Sequence, residues 1–168
     1  PEVLKVYARH YKTGEPIPQE LIDKLQKSSH FNQGFATTEF MAAALLDMAY
    51  HTVKTTEPIH VEKFEKETLD KLGLIPEITV RYRSTYFSHI FDSGYSAGYY
   101  AYTWAEVLDA DAFQAFKETG DIFNPEKALA FRQYVLAKGG SDDAMKLYRE
   151  FRGKDPSIEP LLKRRGLN

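Results

Sequence analysis

The chain has 168 residues, a net charge of −2 from 22 basic and 24 acidic side chains, and no cysteine. This composition excludes disulfides, thiolate nucleophiles and cysteine zinc sites, and it leaves no strong field to attract nucleic acid or an anionic membrane. No apolar run approaches the roughly 20 residues that cross a bilayer, so we expect a soluble chain, cytoplasmic or periplasmic. The length predicts one domain or a segment of a larger one.

Apolar periodicity in the first half of the chain predicts helices over residues 2–12, 18–28, 31–55 and 56–73. The segment 31–55 is apolar on more than one face, which predicts burial of Glu39 and Asp47. For these acids a structural salt bridge is favoured over catalysis. Residues 77–84 alternate apolar and charged side chains and form a connector or a short strand.

In the second half we expect helices over residues 95–119, 124–138 and 141–152, the first of them broken near Asp109–Asp111, and a last short turn over residues 157–164. Asn124 and Pro125 suit the cap and first turn of one helix. Ser141-Asp-Asp143 suits the cap of the next, which Gly153 and Pro156 end. Asp109 and Asp111 are two apart on a helix and point in different directions. This spacing favours surface or capping roles over an acid/base pair.

The most informative stretch runs from residue 87 to 104 and joins His89, a small-residue loop and several tyrosines. A helix beginning at Tyr95 would place Tyr95, Tyr99 and Tyr102 on one face, at i, i+4 and i+7. Phenol hydroxyls beside an imidazole are donors that suit a peptide carbonyl or a developing oxyanion. On composition alone, the 11 tyrosines and 11 phenylalanines fit a packed helical core better than a binding groove.

Several catalytic motifs are absent from the sequence. No histidine is followed by glutamate and no two histidines lie four apart, so a His-x-x-x-His zinc pair is excluded. A metal site assembled from scattered histidines remains an alternative. The sequence also has no G-x-S-x-G elbow, P-loop or G-x-G-x-x-G fingerprint. The five histidines are His10, His30, His51, His60 and His89.

Four stretches carry a family resemblance: FSHIFDSGYSAGYYAYTWAEVLDADAF, PEVLKVYARHYKTGEPIPQELIDKL, FNQGFATTEFMAAALLDMAYHT and RYRSTYFSHIF. They resemble the C-terminal part of the M3 zinc metallopeptidases, and most closely the peptidyl-dipeptidase branch, over essentially the whole chain. The resemblance implies a largely helical fold with two lobes around a deep channel. Residues 1–168 would be the all-α C-terminal segment of its single catalytic domain. We therefore expect a cut before residue 1 and a natural C-terminus in LLKRRGLN.

The resemblance also implies roles for individual residues. Tyr102 and His89 would be catalytic, with Tyr102 donating to the oxyanion and His89 to the same oxyanion or to substrate backbone. Tyr95, Tyr99 and Gly94 would bind substrate, with Tyr95 closing from the loop at residues 91–94. That loop has fewer glycines than is usual in the family, which predicts a stiffer loop. Arg83, or its neighbour Arg81, would recognise a substrate carboxylate. Tyr100 and Trp104 lie on another helix face, where we expect core packing.

The function implied is that of one part of a zinc metallopeptidase acting on short peptides. The zinc would be held by HExxH and a later glutamate in the missing N-terminal part of the same protein. That part would be the partner of this chain, and the chain alone would be inactive. We also expect apolar surface that the missing part covers. Two alternatives remain: a non-catalytic helical module that binds a peptide or partner helix, and a structural lobe whose tyrosines are all buried.

Overall fold

The computed structural model describes residues 2–167, which fold into nine α-helices and no β-strand, so the predicted all-α class is confirmed. A 3₁₀ turn, Ser84–Tyr86, precedes α5, and a π-helical segment, Arg132–Leu136, follows α7. The helices are α1 Glu2–Tyr7, α2 Gln19–Ser28, α3 Gln33–His51, α4 Val61–Lys71, α5 Ser88–Phe91, α6 Ala101–Glu118, α7 Pro125–Phe131, α8 Ala144–Arg152 and α9 Glu159–Arg164.

The first helix is shorter than its apolar pattern predicts, because the chain turns back on itself after Tyr7. The amide of Ile17 donates to the carbonyl of Ala8 at 2.8 Å, and the amide of His10 donates to the carbonyl of Glu15 at 2.8 Å. These bonds satisfy backbone groups that further helical turns would otherwise have used. The long helix predicted over residues 2–12 is therefore wrong beyond Tyr7.

Helices α3 and α4 pack together in the first half of the molecule. Ala42 and Leu46 of α3 meet Val80, with Phe64 and Leu69 of α4 against them. Because Val80 lies in an irregular connector, the short strand considered for residues 77–84 is absent. Glu65 of α4 holds this connector by accepting hydrogen bonds from the amide and hydroxyl of Ser84.

The local capping signals of the second half are confirmed. The side-chain oxygen of Asn124 accepts from the Lys127 amide at 2.8 Å at the start of α7, and that of Asp143 accepts from the Lys146 amide at 2.8 Å at the start of α8. Gly153 then ends α8 in a left-handed conformation, with φ of 79°. These short-range contacts are what the sequence pattern predicts.

Helix α6 runs without a break from Ala101 to Glu118, and the predicted interruption near Asp109–Asp111 is wrong. Asp111 is also neither a surface nor a capping residue. It is buried, and it accepts hydrogen bonds from the Tyr148 hydroxyl at 2.7 Å and from Arg152 Nε at 2.9 Å. Arg152 also donates to Glu118 at 2.6 and 2.9 Å. This network joins α6 to α8.

Candidate functional site

Tyr99 lies at the centre of an aromatic cluster to which several segments contribute. Its side chain is only 3% exposed. Its ring centroid lies 5.2 Å from Phe40 of α3, 5.0 Å from Phe87 and 5.7 Å from His89 of α5. Tyr102 of α6 approaches it at 5.2 Å. The packing of α3, α5 and α6 therefore brings His89 and the tyrosines together.

The tyrosines reach one another differently from the sequence prediction. Residues 95–100 form turns, and α6 begins only at Ala101, so Tyr95 does not lie on a shared helix face with Tyr99 and Tyr102. Tyr95 nevertheless stacks on Tyr102, with a centroid distance of 4.9 Å and an interplanar angle of 22°. The predicted helix start is wrong, but the predicted neighbourhood of the phenols is present.

A buried carboxylate explains why this segment forms a turn rather than a helix. Asp47 of α3 is fully buried, and it accepts from the amides of Ala97 and Tyr99, each at 2.9 Å. Its Oδ1 also lies 2.8 Å from Nδ1 of His51. Glu39, the other acid predicted to be buried in a salt bridge, is partly exposed and forms no ion pair among residues 2–167.

An open groove of about 480 Å³ runs beside the cluster. Phenol, imidazole and guanidinium donors line one part of it, and carboxylates of α6 line another. The lining residues are Phe40, Arg81, Tyr82, His89, Tyr99, Tyr102, Ala105, Glu106 and Asp109. Such a groove suits an elongated ligand that carries carbonyl groups.

The hydroxyl of Tyr102 is neutral at physiological pH. Its hydrogen bond with Tyr95, together with partial burial and the charges of neighbouring tyrosines, raises the pKa of Tyr102 to about 12. Burial, and then the charge of Tyr82, raise the pKa of Tyr99 as well. Both hydroxyls therefore keep their protons throughout the neutral pH range.

His89 has an unsatisfied ring nitrogen. Its Nδ1 is buried, and it has no hydrogen-bond partner within residues 2–167. The ring is instead surrounded by Tyr82 at 4.8 Å, Tyr95 at 6.1 Å and Tyr99 at 5.7 Å between centroids. Leaving such an atom unpaired costs about 1–3 kcal/mol, and because Nδ1 is buried, this atom itself is not open to the groove.

The two candidate arginines lie in different places. Arg83 pairs through Nε with the buried Glu65, whose Oε2 also accepts from the amide and hydroxyl of Ser84, each at 2.7 Å. Arg81 lines the groove and forms no ion pair with a carboxylate of residues 2–167. Gly94 is exposed and does not line the groove. Thus Arg83, Gly94 and Tyr95 lie outside the lining set that contains His89, Tyr99 and Tyr102.

The groove carboxylates are already neutralised by the C-terminal helix. Arg164 of α9 donates to Asp109 at 2.6 Å, and Arg165 pairs with Glu106. Within the described part of the chain, Arg81, which contacts the side chain of Tyr82, is therefore the lining arginine without an ion pair to a carboxylate. The RYR stretch indicated both Arg81 and Arg83 as candidates, but the sequence could not show which of the two lines the groove.

Two further aromatic residues depart from expectation. Tyr100 is 54% and Trp104 is 48% exposed, so the prediction that this helix face packs into the core is wrong. Other large apolar side chains are also exposed, including Val6, Tyr7 and Phe31 near the N-terminal helices. The apolar pattern of α6 identified a non-polar face, but it did not identify what covers it.

The described residues hold no cluster of three or more histidine, aspartate or glutamate side chains that could bind a metal ion. The alternative of a metal site built from scattered histidines therefore finds no support in residues 2–167. No helix in that range is long and apolar enough to cross a membrane.

The structure defines the chain as an all-helical segment with a groove lined by hydrogen-bond donors. Comparison with known proteins identifies its family. The model of peptidase family M3 matches residues 1–167, and this chain belongs to that family. The chain is 45% identical to dipeptidyl carboxypeptidase of Escherichia coli (strain K12), over 100% of the chain and 25% of that relative. It is 35% identical to oligopeptidase A of the same strain, over 99% of the chain and 25% of that relative.

A third relative is saccharolysin of Saccharomyces cerevisiae, 37% identical over 94% of the chain and 22% of that protein. The chain thus spans about a quarter of the length of these relatives.

Proposed function

We propose that this chain forms one wall of the substrate cleft of a peptidase that hydrolyses short peptides. In this proposal the groove beside Tyr99 holds the peptide, Tyr102 donates to the oxyanion that develops at the scissile carbonyl, and His89 donates to the same oxyanion or to peptide backbone. The observation that carries the proposal is the convergence of these donors on one groove.

The remaining tyrosines are proposed to shape the substrate site. Tyr95 stacks on Tyr102 and would cover the bound peptide from the turn, while Tyr99 forms the floor between Phe40 and Phe87. Gly94, exposed in the preceding loop, would leave room for this approach. A stacked aromatic pair at the edge of a groove excludes water from the hydrogen bonds beneath it and strengthens them.

Arg81 is proposed to recognise the C-terminal carboxylate of the peptide, a role considered above for either arginine of RYR. A guanidinium without a protein carboxylate can form a bidentate pair with a ligand carboxylate. Arg83 is already committed to Glu65. Such recognition would favour release of short C-terminal pieces, as the name of the dipeptidyl carboxypeptidase relative indicates for that protein.

The metal of the reaction is proposed to come from outside this chain. The family resemblance implies zinc, but residues 2–167 supply no cluster that fits a zinc ion. We therefore propose that the remainder of the longer protein holds the zinc, and that the 168-residue chain alone does not hydrolyse peptides. Chelator-sensitive hydrolysis by the purified chain would contradict this. Peptide binding by the chain in a protein that has no peptidase activity would favour the non-catalytic module.

The role of Tyr102 is tested by Tyr102→Phe in the complete protein, with Tyr100→Phe as the matched control. The phenylalanine variant keeps the stacked ring but loses the donor, so kcat should fall on the order of 10²–10³-fold with little change in KM. Tyr100 lies outside the groove lining and its loss should leave kcat unchanged. An unchanged kcat in Tyr102→Phe would refute the oxyanion role.

The role of Arg81 is tested by Arg81→Met, with Arg83→Met beside it, on one peptide with a free C-terminus and the same peptide with an amidated C-terminus. Arg81→Met should raise KM for the free acid on the order of tenfold or more and leave the amide unaffected, because only the acid pairs with the guanidinium. Equal effects on both peptides would refute carboxylate recognition.

A further inference from the structure

The buried carboxylate of Asp47 reaches across the fold to the tyrosine turn. Its Oδ1 accepts from the amide of Ala97 and its Oδ2 from the amide of Tyr99, each at 2.9 Å and across 50 and 52 positions of sequence. Nδ1 of His51, one helical turn later on α3, lies 2.8 Å from Oδ1 and 2.9 Å from the Asp47 carbonyl. Because both neighbours are acceptors, this nitrogen carries a hydrogen and orients the carboxylate.

The turn at Ala97 has a backbone conformation that alanine disfavours. Ala97 has a φ of 53°, in the left-handed region. An alanine there meets a steric penalty that glycine does not, and such conformations persist only where surrounding contacts impose them. Hydrogen bonds to a charged carboxylate are stronger than those between neutral groups. Asp47 accepts two such bonds, from the amides of Ala97 and Tyr99, and the amide of Gly98 also donates to the carbonyl of Tyr95 within the turn.

The geometry of the groove depends on this turn. Tyr95 lies two residues before Ala97, and Tyr99 lies two residues after it. On either side of this left-handed residue, Tyr95 stacks on Tyr102 and Tyr99 is buried in the aromatic cluster. A regular helix through the same residues would give neither the hydrogen bonds of Asp47 nor this path of the chain.

We infer that Asp47 is a positioning residue, which holds the left-handed turn at Ala97 and thereby places Tyr95 against Tyr102, with His51 orienting its carboxylate. Asp47 touches no substrate, because it is fully buried beneath the turn. The catalytic consequence rests on the proposed function. The control of the turn does not, since it follows from the hydrogen bonds alone.

The first test is Asp47→Asn in the complete protein, followed by hydrogen exchange of the peptide covering residues 95–102 and by peptidase kinetics. The amide has the size of the acid, but it places an NH₂ group against one of the two backbone donors. Exchange in 95–102 should become faster on the order of tenfold, with α8 unchanged. The kcat should fall on the order of 10–100-fold, because small misplacement of catalytic groups is costly. Asp23→Asn, an exposed acid of α2, is the control and should change neither quantity.

The decisive test is rescue by a second substitution. Glycine adopts a positive φ without the penalty of alanine, so Asp47→Asn combined with Ala97→Gly should slow exchange in 95–102 and raise kcat, each by about twofold relative to Asp47→Asn alone. A general packing defect in α3 would not respond to a change at an exposed residue 50 positions away. No recovery in the double variant would overturn the inference, as would wild-type exchange in Asp47→Asn.

A third variant decides the matter if Asp47→Asn does not fold. Ala97 is exposed, so Ala97→Val leaves the core intact, but a β-branched residue resists the left-handed conformation. It should speed exchange in 95–102 and lower kcat, and wild-type values for both would overturn the inference. Failure of the proposed function is separate. If Tyr102→Phe retains full activity, the kinetic readout loses its meaning, but the exchange results still decide whether Asp47 holds the turn.

Discussion

Two aspartates, Asp47 and Asp111, are buried almost completely, at 0% and 1% exposure, and they are neutralised in different ways. Asp111 meets the guanidinium of Arg152 and the hydroxyl of Tyr148, and it joins one helix to another. Asp47 meets two backbone amides and an imidazole, and it joins a helix to a turn.

The two regions suit different roles. The network around Asp111 is closed, because α6 and α8 exchange hydrogen bonds among side chains that satisfy one another. Around the turn held by Asp47, by contrast, lie a left-handed alanine and a buried His89 nitrogen that has no hydrogen-bond partner among residues 2–167. Strain and unpaired polar atoms concentrate where ligands bind, so the first region stabilises the fold and the second is suited to function.

The largest expected effect breaks the closed network. Arg152→Met leaves Asp111 buried without its cation, and it should lower the free energy of unfolding by about 3–5 kcal/mol in urea denaturation. Exchange in residues 95–102 should not change in the folded state. The control is Arg149→Met, which removes an exposed pair with Asp155 and should cost about 0–1 kcal/mol. Similar losses for the two variants would contradict the contrast.

The stability that Asp111 contributes should depend on pH. Burial alone would raise the pKa of Asp111, but the hydrogen bonds from Arg152 and Tyr148 and the charge of Arg152 lower it overall from 3.8. A carboxyl with a lowered pKa stabilises the fold above its ordinary value, and it loses that contribution as the pH falls through the lowered one.

In Arg152→Met the effect of burial should dominate and raise the pKa of Asp111. Protonation of Asp111 in acid should then remove the penalty of a buried, unpaired charge in the variant, whereas acid lowers the unfolding free energy of the wild type. The gap in unfolding free energy between the two proteins should therefore narrow between neutral pH and about pH 3. Urea titrations at several pH values measure this gap, and a constant gap would show that Asp111 is not the group responsible.

A smaller effect is expected for Tyr148→Phe. The ring stays in the core, but the hydrogen bond to the charged Asp111 is lost, which should cost about 1.5–3 kcal/mol in thermal or urea unfolding. Tyr86→Phe is the control, because Tyr86 is 59% exposed and its loss should change the unfolding free energy by less than about 0.5 kcal/mol. Equal stabilities of the two variants would mean that the Tyr148 hydroxyl contributes nothing.

The smallest prediction concerns the strained turn. Ala97→Gly removes a penalty of about 1–2 kcal/mol for a left-handed alanine and adds an entropic cost of about 0.5–1 kcal/mol. The net result should be a gain in unfolding free energy of about 0.5 kcal/mol with unchanged kinetics. Ala36→Gly within helix α3 is the opposite control and should cost about 0.5–1 kcal/mol. A loss at both positions would show that Ala97 carries no strain.

The sequence predicted the fold class and most helix positions well. The Asn124–Pro125 start of α7 and the Asp143 cap and Gly153 end of α8 were all readable, because each depends on bonds within a few residues. The errors fall where distant contacts compete with local preference. α1 ends early at a backbone turn. α6 begins only at Ala101, and the amides of residues 97 and 99 donate to the distant Asp47 rather than to carbonyls of a helix.

The candidate site shows the same division. The sequence picked out His89, Tyr99 and Tyr102 together, and the family match covers the chain that contains them. It did not find Phe40 and Tyr82 in the groove lining, and it placed Trp104 in the core, where the structure has it half exposed. Apolar periodicity identifies a face, but a face is buried only if another part of the protein covers it.

The sequence alone predicts the all-helical class, the caps that set several helix ends, and a group of aromatic residues whose hydroxyl and imidazole groups can form hydrogen bonds. Only the tertiary structure decided that Arg81 faces the groove while Arg83 pairs with Glu65, and that Tyr95 stacks on Tyr102 across a turn rather than along a helix. The physical reason is range. Helix periods and caps arise between near neighbours, whereas the partner of a buried charge is chosen by packing between segments distant in the chain.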